Sequence, residues 1–407
     1  MNVLDKSAIN YCTSCGVCAV TCAKKAITIS LNKDGFYRPI IDSSLCNDCG
    51  LCTSVCYKFE ENVLKTEPSN LKEKKLYASW SNDSNVLNNT TSGGLGDLLA
   101  HQLLKDGYTV VGVIYNKEKD CAEHRIARDE TDLLDFRGSK YIQNYTYDAF
   151  REVVENCKKE KFAVFGTPCQ IYALNKLVTK RKLREQFVFI DIYCHGCPSF
   201  LAWKKFAGGI KQINRIERFD RVTFRSKKQG WGNYCLDIET GGNTIYKSKR
   251  VNDSFYELFF SDTILNESCY DCRVRNTLEY CDIRLGDFWG KSYLTNKRGV
   301  SAVSLSTKVG EEVFNKIESV HKELKSHLDL LPYQSWNKTY SPNTNCRDKV
   351  LLSLRDPEQS IKDAILVLRN NQGVKASIIR RVKYILSIFP QGITKGIKKV
   401  IYSVRNI

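Results

Sequence analysis

No stretch of this 407-residue sequence is apolar for long enough to cross a bilayer as a helix, so a spanning segment is not expected. The opening residues, MNVLDKSAINYC, have neither the basic nor the apolar run of a secretory leader. Acidic residues are the scarcer charge, 45 against 62 Lys and Arg, for a net +17. Such an excess invites a nucleic-acid reading, but no recognition motif accompanies it and no nucleic-acid partner is expected. Much of it sits at the end of the chain: after residue 360, ten basic residues face one acid, Asp363. Cysteine, in contrast, is abundant, with 18 residues. Without an export signal, that abundance points to a reducing, cytoplasmic setting and to metal ligation instead of disulfides.

Eight of the cysteines form two identical runs. Cys12, Cys15, Cys18 and Cys22 are spaced C-x2-C-x2-C-x3-C, and Cys46, Cys49, Cys52 and Cys56 repeat that spacing. This is the bacterial ferredoxin pattern for two [4Fe–4S] clusters, in which the fourth cysteine of each run serves the other cluster. Cys12, Cys15, Cys18 and Cys56 are therefore assigned to one cubane, and Cys46, Cys49, Cys52 and Cys22 to its partner. Structural zinc prefers two separated C-x2-C pairs and fits this spacing poorly. The proline usual after the fourth cysteine is replaced by Ala23 in the first run and Tyr57 in the second. Neither position is a ligand, so the local turn and redox tuning are affected, not the clusters.

Length suggests two to three domains, and 42% hydrophobic and 11% aromatic residues suffice for a sizeable core. Residues 1–60 read as the ferredoxin-type domain and the polar, lysine-rich stretch 61–76 as a linker. From 77 to about 335 an α/β pattern follows, and 336–407 reads as a basic helical C-terminal region. The fold class expected is α+β / α/β: a small two-cluster domain, then an α/β domain with a mixed sheet, mainly parallel where strands alternate with helices, and a short helical C-terminal tail. Antiparallel strands are expected across Arg221–Ser248. Cys169 and Cys194 fall just past the ends of two expected strands, where open α/β sheets place their ligand sites.

Beyond the first domain lie TSGG (Thr91–Gly94), GSKYIQ (Gly138–Gln143), GTPCQIYAL (Gly166–Leu174), CHG-x-PS (Cys194–Ser199), C-x2-C (Cys269–Cys272) and DIRLGDFWG (Asp282–Gly290). In this order they resemble the coenzyme F420 hydrogenase/dehydrogenase beta-subunit family over about residues 77–330. The resemblance implies FAD in the α/β domain, with a third [4Fe–4S] cluster beside it. Cys169, Cys194, Cys269 and Cys272 are the chosen ligands, with Cys197 and Cys281 as competitors and buried free thiols as the alternative. Cys121, Cys157, Cys235 and Cys346 are expected to be structural thiols. Ser92, Gly93 and Gly94 precede a helix and suit a pyrophosphate. Paired with Gly138, Ser139, Lys140 and Tyr141 they become a candidate FAD site; alone they would be an ordinary turn. Lys140 would neutralise a phosphate or tune the flavin, and Asp287 and Trp289 would line it or simply end a strand. His195 is the candidate proton donor, weighed against a plain capping role.

These readings lead to an iron–sulfur flavoprotein oxidoreductase served by an acidic ferredoxin or other redox partner. The electron acceptor would be a small molecule, a glycan precursor or a deazaflavin. An electron-relay subunit without a substrate site is the alternative. Two basic amphipathic segments, from Ala376 and from Gly392, suggest peripheral contact with the inner membrane face, against docking on the protein itself.

Overall fold

The computed structural model describes residues 1–249, 253–373, 378, 381 and 382. The amphipathic segments from Ala376 and Gly392 otherwise lie outside them. Among the described residues no helix is long and apolar enough to cross a membrane.

In chain order, α1 (Val17–Thr21) follows the first cysteine loop, and β1 (Ile27–Leu31) pairs antiparallel with β2 (Tyr37–Ile41). Next come α2 (Pro68–Glu73), β3 (Lys75–Ser81), α3 (Ser84–Asn89), α4 (Leu95–Lys105), β4 (Tyr108–Asn116), β5 (Cys121–Ala127), α5 (Glu130–Leu133), β6 (Asn144–Tyr145), α6 (Tyr147–Asn156), β7 (Lys161–Phe165), α7 (Pro168–Lys180), β8 (Phe187–Ile192) and α8 (Phe200–Asn214). The chain continues through β9 (Arg221–Ser226), β10 (Cys235–Thr240), β11 (Asn243–Lys249), α9 (Ser254–Phe259), β12 (Ile283–Asp287), β13 (Ser301–Leu305), α10 (Lys308–Lys316), β14 (Val320–Lys325), α11 (Thr344–Arg355) and α12 (Ile361–Asn371).

The principal sheet has nine strands in the order β14-β3-β13-β12-β8-β7-β4-β5-β6. The neighbours β12–β8, β8–β7 and β7–β4 are parallel, as is the short β5–β6 pair. The other four pairs are antiparallel. The sheet is thus mixed, as expected: a parallel centre with antiparallel flanks. The physical reason lies in the connections. β12 reaches β13 through Phe288–Val300, which returns alongside without a crossover helix, so Ile283 faces Leu305 in an antiparallel hairpin. Strands covered on both faces show continuous burial: Phe187–Asp191 in the parallel centre and Ser301–Leu305 in β13 are all buried.

The α4 helix illustrates how pattern becomes packing. Leu95, Leu99 and Leu103, four apart, form its buried stripe. Each such leucine contributes about 1.5–3 kcal/mol by leaving water. Gly94 starts the helix at φ 87°, a backbone conformation that β-carbons disfavour.

The antiparallel sheet β9–β10–β11 packs with α8, α9, α11 and α12 in a second core that includes Trp203, Phe224, Tyr256, Val350 and Leu368. The helices of 344–371 are therefore core elements. The stretch 61–76 is also anchored. Buried Thr66 accepts the Leu278 N–H at 2.7 Å and donates to Glu279 at 2.9 Å. Cys121, Cys157, Cys235 and Cys346 are all buried, in keeping with structural thiols.

Candidate functional site

The two ferredoxin loops repeat in backbone as well as in sequence. Ser14 and Gly16 in the first run have φ of 62° and 74°; Asp48 and Gly50, at the same places in the second, have 52° and 78°. Left-handed residues at these points curl each loop around its three sulfurs and aim amides inward. Cys12, Cys15, Cys18 and Cys56 line one cavity, with Val3, Ile29, Pro39 and Val55 as its apolar walls. This is the crossed ligand set expected for the first cubane. Burial pushes the Cys15, Cys18 and Cys56 thiols up, and each is raised further by neighbouring cysteines. Four thiols crowded in an apolar cavity suit metal coordination, which takes their protons. In the second set, Cys22 and Cys52 share an apolar cluster, whereas Cys49 is exposed. The second centre is therefore the one nearer solvent.

The third set converges across the parallel centre of the sheet. Cys169 lies in the first turn of α7, after a capping box of Thr167 and Gln170. Cys194 follows β8, the strand beside β7. Cys269 ends one short turn and Cys272 precedes another. Burial pushes Cys169 well up, with Cys272 and Cys194 adding repulsion. Burial also takes Cys194 up to about 11 and Cys269 up to about 12, and Cys272 again adds repulsion to each. Backbone amides approach the sulfurs: Cys197 N–H donates to Cys269 Sγ at 3.4 Å, and the amides of Val274 and Arg275 donate to Cys272. Thr167 Oγ1 lies 3.2 Å from Cys169 Sγ. Four half-buried cysteines, two of them with N–H donors, fit a cubane. Among the described residues no three His, Cys, Asp or Glu side chains converge as a single-ion site; a cubane instead spreads its sulfurs around its corners.

The two competitors now separate. Cys281 is a buried thiol beside Asp191 and Arg284, whereas Cys197 stays with the set, next to Cys269 and Cys194. Cys169 also senses Cys15, and both belong to one apolar cluster with Tyr57, Tyr172 and Cys272. The third set therefore abuts the first cubane's cavity.

The candidate flavin residues come together in part. Ser139 N–H donates to Thr91 Oγ1 at 2.8 Å, which joins the GSKY loop to the TSGG loop. Ser92 Oγ donates to Val300 O, and Gly93 N–H to Ser301 Oγ. A β-carbon on Gly93 would sit 2.3 Å from Ser79 O, so glycine is required there by backbone packing. The α4 N-terminus carries no side-chain cap, which suits an anion. Lys140 points elsewhere: its Nζ donates to the carbonyls of Asp135, Phe136 and Arg137, capping a short turn. Asp287 is more than a strand end. It pairs with Arg225 and accepts from Trp231 Nε1 at 2.8 Å, and Trp231 stacks on Trp289 at 4.4 Å. Tyr141 packs on Phe224, Tyr256 and Phe259. Lys227 Nζ donates to Ser92 O at 2.7 Å. Arg225, in β9, and Lys227, just after it, carry no sequence signal, because in a basic chain such residues read as solvated charges.

His195 is clamped. Its Nε2 lies 2.6 Å from Asp262 Oδ1, and its Nδ1 lies 3.2 Å from the Tyr340 hydroxyl and 3.3 Å from Ser335 Oγ. With the Nε2 proton held by Asp262, Nδ1 accepts from the hydroxyl side. Asp262 and Tyr340 carry no sequence signal, since each lies more than 60 residues away.

Residues 159–326 match the family model for the C terminus of the coenzyme F420 hydrogenase/dehydrogenase beta subunit, and residues 11–58 match "4Fe-4S dicluster domain". The first match contains Cys169, Cys194, Cys269 and Cys272; the loops at 92–94 and 138–141 precede it. Coenzyme F420-dependent sulfite reductase of Methanocaldococcus jannaschii is 24% identical over 316 residues, 75% of this chain but 46% of that protein, so the chain spans about half of that relative's length. Coenzyme F420 hydrogenase subunit beta of Methanococcus voltae is 24% identical over 286 residues, 65% of this chain and 91% of that one. The F420-reducing [NiFe] hydrogenase complex from Methanosarcina barkeri aligns with a TM-score of 0.45 at 15% identity, covering 74% of this chain and 93% of that chain. With its crossed cysteine runs and its converging third set, the chain is thus similar to a 4Fe-4S dicluster domain over residues 11–58 and, over residues 159–326, to the C terminus of the coenzyme F420 hydrogenase/dehydrogenase beta subunit.

Proposed function

We propose that the chain is an iron–sulfur flavoprotein oxidoreductase. It would take electrons from a ferredoxin-like donor at the exposed Cys49 side and deliver them to an organic substrate, such as a glycan precursor, or to a deazaflavin. One observation supports this above the others: Cys169 of the third cysteine set packs into the same apolar cluster as Cys15 of the first cubane's cavity. Packed cysteines thus lead from the ferredoxin domain to the carboxyl ends of β7 and β8, where α/β sheets hold ligands.

When bound, clusters would supply single electrons and FAD would pair them as a hydride. The chain's own residues do the rest. Cys169, Cys194, Cys269 and Cys272 would hold the third cluster. The α4 N-terminus with Ser92–Gly94 would take the FAD pyrophosphate, while Trp289, stacked on Trp231, would offer a planar face. Arg225 and Asp287 fix that indole pair. His195, oriented by Asp262 and Tyr340, would hold a proton beside Cys194.

The relay reading has its own support in a relative named as a hydrogenase subunit. Anaerobic purification followed by iron, sulfide and flavin analysis tests the proposal. About twelve iron atoms and one FAD per chain are expected. About eight iron atoms without flavin would overturn it. Reduction of an organic substrate or a deazaflavin by the isolated chain separates enzyme from relay.

A further inference from the structure

Four arginines are buried among the described residues: Arg225, Arg275, Arg284 and Arg347. Three of them face carboxylates. Arg225 pairs with Asp287, Arg284 with Asp191, and Arg347 with Glu267. Arg275, 3% exposed, has no carboxylate partner among the described residues. Its guanidinium donates to three backbone carbonyls, Cys269 O at 2.8 Å, His195 O at 3.0 Å and Lys338 O at 3.0 Å, and lies over the Tyr340 ring at 4.9 Å. Its Nε has no partner. Carbonyl dipoles and a ring face solvate a cation, but they do not neutralise it, and an unanswered buried charge is expensive.

The position of Arg275 suggests where the missing negative charge belongs. It bonds the backbone of Cys269 and of His195, the residue after Cys194, so it straddles the two segments that bring Cys194, Cys269 and Cys272 together. Its own amide points at the Cys272 sulfur. A four-thiolate cubane is an anion and becomes more so on reduction. A fixed cation at its edge stabilises the reduced form more than the oxidised one.

We propose that Arg275 is the buried counter-ion of a [4Fe–4S] cluster held by Cys169, Cys194, Cys269 and Cys272, and that its charge raises that cluster's reduction potential. This rests on the third cluster of the proposed function. Arg275 is a positioning residue whose charge, beyond its hydrogen bonds, is what matters.

The test uses the full chain, purified anaerobically with its iron, as wild type, Arg275→Gln and Arg275→Lys. Gln can still donate to a carbonyl but carries no charge; Lys keeps the charge and loses the fork. Iron is counted, and a redox titration is followed by electron paramagnetic resonance, the third cluster's signal being the one lost in Cys169→Ser. The expected result is a lower midpoint for that signal alone in Arg275→Gln, largely restored in Arg275→Lys, with the N-terminal pair unmoved. Should Arg275→Gln lose that cluster's iron, its retention in Arg275→Lys supports the charge role and equal loss in both overturns it. With iron complete, an unmoved midpoint in Arg275→Gln, or an equal displacement in both variants, also overturns it. About eight iron atoms in the wild type would remove the third cluster itself, and with it the proposed function's route.

Discussion

Thr146 donates its hydroxyl to the backbone carbonyl of Cys15 at 2.8 Å, fastening the first ferredoxin loop to the residue that opens α6. Thr146 is 2% exposed, so water cannot replace the bond. Thr146→Val keeps the shape and removes the donor, which leaves a buried carbonyl unsatisfied at a cost of about 1–3 kcal/mol. Amide exchange measured across residues 12–22 should quicken in the variant, while exchange in the β4–β7–β8 centre stays as in the wild type.

Gly16 and Gly50 occupy equivalent places in the two cysteine loops, yet they should not be equally replaceable. Both have φ near +75°, so alanine costs about 1–2 kcal/mol at either from backbone strain. At Gly16 the new β-carbon would also lie 2.5 Å from Thr146 Oγ1, an atom pinned by its bond to Cys15. At Gly50 the nearest atom is Thr53 Oγ1 at 3.8 Å. Gly16→Ala is therefore expected to lower the melting temperature more than Gly50→Ala and to lose iron first. Parallel melts and iron counts on the two variants check this.

The contrast between the two halves of the molecule shows what a linear pattern conveys. The cubane loops are local: seven or eight residues set the sulfur positions, and Cys56 crosses over because the repeat demands it. The third set is assembled from segments a hundred residues apart. Its strand-end cysteines were legible through the α/β pattern, but spacing had nothing to say about Cys281, which only the register of β12 beside β8 turns toward Asp191. Arg275 was hidden for a related reason. In a chain of net charge +17, an arginine three places after a C-x2-C reads as one more solvated cation, and its burial depends on Tyr340 and Lys338 arriving from far downstream. Sheet order was equally out of reach, because β3 pairs with β13 and β14, more than 200 residues later.

Substitution of the cysteines should reproduce that geometry in iron content. Cys169→Ser is expected to lose about four iron atoms, one cubane's worth, and leave the N-terminal pair. Cys281→Ser should lose none, since its thiol faces Asp191 and Ser306 and not the other sulfurs. Cys197, beside Cys269 and Cys194, is the more demanding control. If Cys197→Ser removes four iron atoms and Cys194→Ser removes none, the ligand set exchanges one cysteine for the other.

Acid should weaken the fold through a buried histidine. His124 is buried with Nε2 2.8 Å from Phe165 O, an arrangement in which Nε2 donates and Nδ1 accepts from Asn144. Burial lowers its pKa from 6.5 to about 4. The unfolded chain therefore binds the proton first as pH falls. The stability that His124 contributes is whole above pH 6.5 and is lost between there and about 4, on the order of 3 kcal/mol in all. His327, lowered to about 4 mainly by burial, acts in the same direction. Asp253 opposes both: burial raises its pKa to about 6, so the folded state takes up its proton before the unfolded chain does, and acidification stabilises through that group. Two histidines outweigh one carboxyl, so stability should fall from pH 7 to pH 5. His124→Gln, which can still donate to Phe165 O but does not titrate, should be less stable than wild type at pH 7 and should lose less on acidification. Denaturant melts of both proteins at the two pH values, with iron monitored throughout, measure that difference in slope; parallel slopes would assign the acid sensitivity to other groups.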